Sequence, residues 1–154
     1  MKVTIIGGHG KIALLAARIL ASRGDEVTSV IRNPDHVADV ADTGALALVL
    51  DVETATATEL AEAFAGADTL MLVSGSEVGQ RATQHAAAID AAKAAGITRV
   101  VYTSAPGATT STLILAPEHK ATEEHLAASG LAVTVLRNNW YTENYVSTVQ
   151  QAAA

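Results

Sequence analysis

The amino-acid sequence predicts an α/β fold with a doubly wound parallel sheet. Five segments share one pattern, in which an alanine-rich helix ends at a glycine and a strand of mostly apolar residues follows within a few positions. The glycines are Gly24, Gly44, Gly66, Gly96 and Gly130. Glycine just past a helix end adopts the left-handed conformation that other residues resist. Alternating helices and strands favour right-handed crossovers, and continuous apolar strands indicate a sheet that is buried on both faces.

The pattern places six strands and five helices along the chain, with one further short helix at its end. The strands are expected at 2–6, 26–31, 46–51, 69–73, 98–103 and 132–137. The helices are expected at 11–23, 35–42, 56–65, 78–95 and 117–129, and the further helix between 142 and 152. The expected strand order is 3-2-1-4-5-6. We expect residues 1–154 to form a single domain with a substrate lobe that is short or absent.

Composition and charge narrow the class of protein. Of the 154 residues, 49% are hydrophobic and 17% are charged, as in a globular domain. The formal net charge of −6 argues against nucleic acid or an anionic membrane surface as a partner. The sequence has no cysteine, which excludes disulfides, thiolate metal sites and cysteine nucleophiles. Because Met1 leads directly into a strand, with no charged leader, we expect a cytoplasmic protein.

The first strand and the turn after it carry the strongest functional signal. The strand ends in Gly7-Gly8-His9-Gly10, and Ala13 completes a G-x-x-G-x-x-A spacing. Small residues let a pyrophosphate approach the backbone, and the helix N-terminus offers free N–H groups to the anion. This strand–turn–helix context is typical of a Rossmann dinucleotide-binding domain, although such turns also occur without a ligand. The residues expected to bind the cofactor here are Gly7, His9, Gly10, Lys11 and Ile12.

A basic residue follows the second strand. Sites that prefer NAD usually have an acidic side chain here for the ribose 2′-hydroxyl, whereas this chain has Arg32. A guanidinium can bind a 2′-phosphate through paired hydrogen bonds, which favours NADP(H) over NAD(H) as the cofactor. A solvated loop arginine is the alternative. Asp51 and Val52 follow the third strand, and Asp51 either bonds the adenine amino group or caps the next turn.

Small and hydroxyl-bearing residues follow the fourth and fifth strands. Val73, Ser74 and Gly75 come where the strand order reverses, so the nicotinamide and its ribose are expected to lie against them. Ser76 and Glu77 come next, and the alternative is that either of them caps the following long helix. Ser104 comes at the end of the expected fifth strand, just after residue 103, where its hydroxyl would bond a substrate oxygen, with solvation in a loop as the alternative.

Two further groups of residues are candidates for the reaction itself. Lys120, near the start of the fifth helix, would reach the nicotinamide ribose unless it is simply exposed. Asn138, Trp140 and Tyr141 follow the sixth strand, and this aromatic, amide-rich segment suits a flat polar ligand such as a quinone ring. The alternative is that Trp140 fills the core. The five histidines show no ligand spacing, so the sequence predicts no metal site.

Several segments together resemble one family. The turn from Gly7 to Ala13 and the segments IRNPDHV, LMLVSGSEVGQR, VVYTSA, EHKATEEHL and LRNNWYTENY are similar to NmrA-like atypical short-chain dehydrogenases, and among these to bacterial NAD(P)H:quinone oxidoreductases. The resemblance implies hydride transfer from NADPH to a quinone-like acceptor, with Arg32 at the 2′-phosphate and Lys120 where the family keeps its active-site lysine. The sequence departs from that pattern at Ala116, where a Tyr-x-x-x-Lys pair would have tyrosine.

This departure keeps two functions open. An NADP(H)-binding redox sensor or regulator without catalysis is the alternative to the oxidoreductase. The apolar residues Tyr141, Tyr145, Val146 and Val149 have near-helical spacing, and we expect a second copy of the chain to cover them in a homodimer.

Overall fold

One parallel sheet of six strands organises the chain. The computed structural model describes residues 1–75 and 77–152, so Ser76 and its expected capping role lie outside the described residues. The strands are β1 (Lys2–Ile6), β2 (Glu26–Ile31), β3 (Leu46–Val49), β4 (Thr69–Leu72), β5 (Arg99–Ser104) and β6 (Ala132–Arg137). Their order is β3-β2-β1-β4-β5-β6 with every pair parallel, which confirms the predicted order.

In the part of the chain that the structure describes, six helices connect or follow these strands. They are α1 (Lys11–Ser22), α2 (Val37–Ala41), α3 (Ala57–Ala63), α4 (Arg81–Ala94), α5 (Ala116–Ala128) and α6 (Val146–Ala152). Single 3-10 turns, Pro34–His36 and Thr142–Tyr145, precede α2 and α6. Among the described helices, none combines the length and the apolar character that crossing a bilayer requires.

Several expected boundaries differ from the structure, most of them by one or two residues, and three of the differences have a local reason. The helix expected at 35–42 begins as a 3-10 turn, because the Asn33 side chain accepts a hydrogen bond from the Asp35 N–H and caps that turn. The helix expected from 78 begins at Arg81, since Gly79 has a φ of +94° that no helix accommodates. The strand expected to reach Asp51 ends at Val49, which pairs with the last residue of β2.

The core has two layers, one on each face of the sheet. On one face α1 and α2 bury Ala13, Ala17 and Val40 against β1 and β2. On the other face, α3, α4 and α5 contribute the larger set, which includes Leu60, Phe64, Ala88, Ile89 and Leu126. Burial on both faces explains the continuous apolar strands of the sequence.

The start of β1 is tied to the start of β4. The backbone N–H of Lys2 donates to the Asp68 carboxylate at 2.7 Å, and the Asp68 N–H donates back to the Lys2 carbonyl at 2.8 Å. These bonds align the two central strands. Their carboxyl ends therefore lie side by side at the opposite edge of the sheet, where ligands bind in folds of this type.

Candidate functional site

A cleft opens beyond the carboxyl ends of β1 to β4. Its volume is about 660 Å³, within the range of roughly 300–1,000 Å³ that is typical of small-molecule sites. Most residues predicted to bind a cofactor line it, namely Gly7, His9, Gly10, Arg32, Asp51, Val52, Val73, Ser74 and Gly75. Lys11 and Ile12 begin α1 and are not among the lining residues. The roles of all these residues stay predictions.

The first two glycines of the turn are required by the fold. Gly7 has a φ of +73°, and a Cβ there would lie 3.1 Å from the Val73 carbonyl oxygen. A Cβ on Gly8 would lie 2.7 Å from the Cβ of Ser29, because the Gly8 N–H donates to the Val30 carbonyl at 3.0 Å. The turn is therefore held against β2 and β4 by its own backbone.

Gly10 differs from these two glycines. Its φ of −60° is open to any residue, and a Cβ there would meet, among the described residues, only the Gly7 carbonyl oxygen, at 3.3 Å. The backbone conformation does not require glycine here, but a contact of 3.3 Å is tight, so a side chain would force the Gly7 carbonyl to shift by a few tenths of an ångström. A pyrophosphate bound against the start of α1 would be a second reason for a small residue at this position.

A carboxylate pair holds Arg32 at one end of the cleft. Its Nη1 donates to Glu53 at 2.8 Å and to Glu77 at 3.3 Å, and these bonds raise the pKa of Arg32. Partial burial, with Glu77 close by, raises the pKa of Glu53. Both bonds use Nη1, and the guanidinium fork also offers Nε and Nη2 to an incoming phosphate. The sequence suggested Glu77 only as a helix cap and gave no signal for Glu53.

A buried histidine stands at the other end of the cleft. The His85 side chain is nearly inaccessible, its Nδ1 lies 3.1 Å from the Thr122 hydroxyl, and its Nε2 lies 3.5 Å from the Gly75 N–H. Because Thr122 donates to the Glu118 carbonyl, we assign the imidazole proton to Nδ1. Burial, with Arg81 nearby, lowers the pKa of His85 to about 3. This histidine is therefore neutral, and sequence reasoning missed it.

The alternation of β5 decides which of its hydroxyls approaches the cleft. Tyr102 and Ser104 share a face and contact α5: Tyr102 pairs with His119 Nδ1 at 2.6 Å, and Ser104 donates to Glu123 at 2.6 Å. Thr103 reaches the cleft wall, since its Oγ1 accepts a hydrogen bond from the Ser74 N–H at 2.8 Å. Period-two alternation was the signal that would have identified Thr103.

The two residues predicted to be catalytic lie outside the cleft. Ser104 is held by Glu123, whose pKa is lowered chiefly by its bonds to Arg137. Lys120 is half-exposed on α5, with its Nζ 3.8 Å from Glu124. The structure thus does not bring these side chains to the glycine turn, and their catalytic roles stay predictions.

The segment after β6 lies at the edge of the sheet, beyond β5. The Asn138 amide donates to the Tyr141 hydroxyl at 3.0 Å, so two of the predicted substrate residues contact each other. Trp140 is 67% exposed, which shows that the core-filling alternative was wrong. None of Asn138, Trp140 and Tyr141 is among the residues that line the cleft.

Two histidines and an aspartate meet at the rim of the cleft. The rings of His9 and His36 stack with centroids 3.4 Å apart and planes 8° apart. His9 Nε2 lies 3.1 Å, and His36 Nδ1 lies 3.5 Å, from the same oxygen of Asp39. The sequence predicted no ligand spacing, yet His36 and Asp39 stand at i and i+3, a spacing that places two side chains on one helical face.

Comparisons with known proteins point to one class of cofactor. Quinone oxidoreductase 2 of Escherichia coli strain K12 is 43% identical over 145 residues, which cover 94% of this chain and 49% of that protein. The crystal structure of the E. coli NADPH-dependent quinone oxidoreductase complexed with NADPH has a TM-score of 0.86 at 38% identity, covering 97% of this chain and 53% of that one. The chain thus spans about half the length of these relatives.

A more distant solved structure has the same architecture. The Citrobacter sp. triphenylmethane reductase complexed with NADP(H) is 27% identical, with a TM-score of 0.84, over 99% of this chain and 54% of that one. The family model described as NAD(P)H-binding matches residues 7–153, from the first glycine of the turn almost to the last residue. The glycine turn, the strand order and this match agree, and the chain belongs to the NAD(P)H-binding family.

Proposed function

We propose that this chain is an NADPH-dependent oxidoreductase that transfers hydride to a quinone-like acceptor. The observation that carries the proposal is the course of the cleft, which runs from Arg32 across the glycine turn to Gly75 and His85. It offers a cation at one end, a helix N-terminus in the middle and a buried neutral surface at the other end. A phosphorylated dinucleotide presents complementary groups in the same order.

The roles proposed for the lining residues follow from their chemistry. The turn from Gly7 to Gly10 binds the pyrophosphate, and Arg32 binds the 2′-phosphate. Val73, Ser74 and Gly75 lie along the nicotinamide and its ribose, where the hydrogen bond between the Ser74 N–H and Thr103 keeps the backbone in place. Bound NADPH supplies the hydride.

The chemistry of the His85 end favours an acceptor that needs no acid from the protein. His85 is held neutral there, with its remaining proton directed to Thr122. An electron-poor ring accepts hydride without prior protonation, and water supplies the proton afterwards. Two similar proteins, named as a quinone oxidoreductase and a triphenylmethane reductase, support acceptors of this kind.

NADPH oxidation tests the proposal. We expect the near-ultraviolet absorbance of NADPH to fall when the chain is mixed with small quinones, and NADH to be used less well. Gly10→Val serves as the control that lacks cofactor binding. NADPH binding without turnover across a panel of quinones and cationic dyes would overturn the oxidoreductase.

A non-catalytic NADP(H) sensor is the second candidate, and the positions of Ser104 and Lys120 outside the cleft favour it. If Lys120 is catalytic, Lys120→Ala lowers kcat. The control is Lys93→Ala, which removes an exposed lysine from α4 and should leave kcat unchanged. If the two variants have the same turnover, Lys120 has no role in the reaction.

We further propose a single domain that assembles as a homodimer in the cytoplasm. Exposed apolar side chains after β6 support the dimer, with Trp140 67%, Tyr145 57% and Val149 63% accessible. Light scattering should give twice the monomer mass. Val149→Ser should lower the measured mass towards that of the monomer, whereas Leu15→Ser, on α1, should leave it unchanged. A monomer at all concentrations would contradict the dimer.

A further inference from the structure

His9, His36 and Asp39 lie together at the rim of the cleft, and the proposed dinucleotide site uses only His9 of the three. We propose that these three side chains bind a divalent transition-metal ion of the zinc class. The ligands would be His9 Nε2, His36 Nδ1 and the Asp39 carboxylate, which come from three places: the turn after β1, the 3-10 turn after β2, and α2.

The spacing of the donor atoms fits a shared ion. All three lie within 4.8 Å of one another, and the two nitrogens lie 3.1 and 3.5 Å from one oxygen of Asp39. Ligand atoms about 2.0–2.2 Å from a tetrahedral ion are separated by about 3.3–3.5 Å. The two nitrogen–oxygen separations are close to this value. Because a bound ion lies in the plane of each imidazole, the two rings have to rotate out of their parallel stack, and both side chains are exposed enough to do so.

The donor types select the class of metal. Two imidazoles and one carboxylate suit zinc and its neighbours, whereas magnesium and calcium prefer sites made of oxygen. Both donor nitrogens face Asp39, since each approaches the same carboxylate oxygen. The side chains of His9, His36 and Asp39 are 41%, 35% and 55% exposed, so an ion from solution can reach them.

A second histidine–aspartate pair serves as a comparison, because it is a surface contact of only two residues. His125 Nε2 lies 2.8 Å from Asp90, also on the surface. Among the described residues, no third histidine, aspartate or glutamate lies close enough to that pair to share an ion with it. A simple surface ion pair thus needs two residues, and the stacked second imidazole is what distinguishes the rim cluster.

Three protein ligands leave a fourth position on a tetrahedral ion. His9 and His36 also line the cleft, so this position lies close to the path of the dinucleotide phosphates. The ion also turns the net charge of the cluster from negative to positive. A positive charge beside the phosphates should tighten NADPH binding, a prediction that rests on the proposed function. By linkage, NADPH should then tighten metal binding by the same factor.

Calorimetric titration of the full chain with zinc chloride alone tests the site. We expect one saturable site, and a loss of affinity of at least about tenfold in both Asp39→Asn and His36→Gln, since even changes beyond the ligands themselves cost about that much. His125→Gln is the matched control and should bind zinc as the wild type does. X-ray absorption of the zinc-loaded protein should show imidazole ligands.

Zinc binding that survives in both variants, or that His125→Gln abolishes, would overturn the site. In a second titration, NADPH is added with and without zinc. Equal or weaker NADPH binding in the presence of zinc would overturn the coupling. If NADPH fails to bind under either condition, the proposed function is wrong, while the zinc titration still decides the metal site.

Discussion

The two ends of the cleft hold their polar groups in opposite ways. At one end, Arg32, Glu53 and Glu77 form an exposed set of charges, with the Arg32 side chain 59% accessible. At the other end, His85 and Thr122 are buried, and their hydrogen bonds connect neutral groups. The first set can exchange partners when an anion arrives, whereas the second is fixed before any ligand binds.

This difference separates selectivity from positioning. An exposed ion pair contributes little to folding, so it can give up Glu53 or Glu77 for a phosphate at small cost. A buried neutral network holds the backbone around Gly75 in one position, because each lost hydrogen bond would leave a buried polar group unpaired. We therefore expect substitutions at the Arg32 end to change cofactor preference, and those at the His85 end to change stability.

The largest expected effect is at the turn that joins the two ends. Gly10→Val adds a branched side chain where the pyrophosphate is expected, and its Cβ would already be 3.3 Å from the Gly7 carbonyl. NADPH and NADH binding should both fall by more than about a hundredfold, the upper range for overpacking a fitted site. Calorimetry measures the affinities, and circular dichroism should show a folded chain. An unchanged affinity would remove the turn from the binding site.

The next largest effect is the loss of folding stability in acid that the buried His85 causes. The pKa of His85 is about 3 in the folded chain and about 6.5 when unfolded. Between these values the unfolded state binds the extra proton, so stability is lost as pH falls below about 6.5, at up to about 1.4 kcal/mol per pH unit for one proton. His85→Gln should reduce the slope in urea unfolding, while His119, whose pKa burial also lowers, stays in both proteins. If the unfolding free energy of both proteins has the same slope against pH, the pKa of His85 is not lowered by burial.

At the charged end, Arg32→Ala should weaken NADPH about tenfold or more, the loss expected for a charge-assisted hydrogen bond to phosphate. NADH should bind nearly as before, since it lacks the 2′-phosphate. Arg99→Ala is the control, because Arg99 begins β5 at the opposite edge of the sheet. Fluorescence titration with both cofactors provides the comparison, and equal losses for the two would reject the role of Arg32.

The smallest expected effect tests the exchange of partners itself. Glu53→Gln removes a carboxylate 2.8 Å from Arg32, so the guanidinium becomes easier to recruit to a phosphate. NADPH should bind about two- to threefold more tightly, the size of one exposed ion pair. Glu62→Gln, on the exposed face of α3, should have no effect. Weaker NADPH binding in Glu53→Gln would mean that Glu53 holds Arg32 in its binding position.

The sequence could predict features that depend on neighbouring residues. The strand order and the glycine turn follow from apolar runs and helix-ending glycines within short segments, and the structure confirms the order. Arg32 was placed beside the cleft because it directly follows a strand. The carboxylates that hold it could not be predicted, since Glu53 and Glu77 are brought to it only by the packing of three strand ends.

The catalytic candidates depended on orientation rather than position. Ser104 lies at the carboxyl end of β5, one residue beyond the expected end of that strand, but it shares a face with Tyr102 and contacts α5. Lys120 occurs in the segment that resembles the family, but its place on α5 directs it to Glu124 instead of the cleft. A position near a strand end or in a motif thus predicts which element carries a residue, and the side-chain period decides where the residue faces.

The central place of β1 has a consequence for how the chain is made. β1 is synthesised before the other five strands of this sheet, and β2 is the next strand that can pair with it, from Lys2 with Glu26 onward. The other side of β1 stays unpaired until β4 is made, when Val3 pairs with Thr69. Until then the nascent sheet has an open apolar edge in its middle, and such edges pair readily with other chains. We expect translation up to β4 to be the interval in which this protein depends most on chaperones.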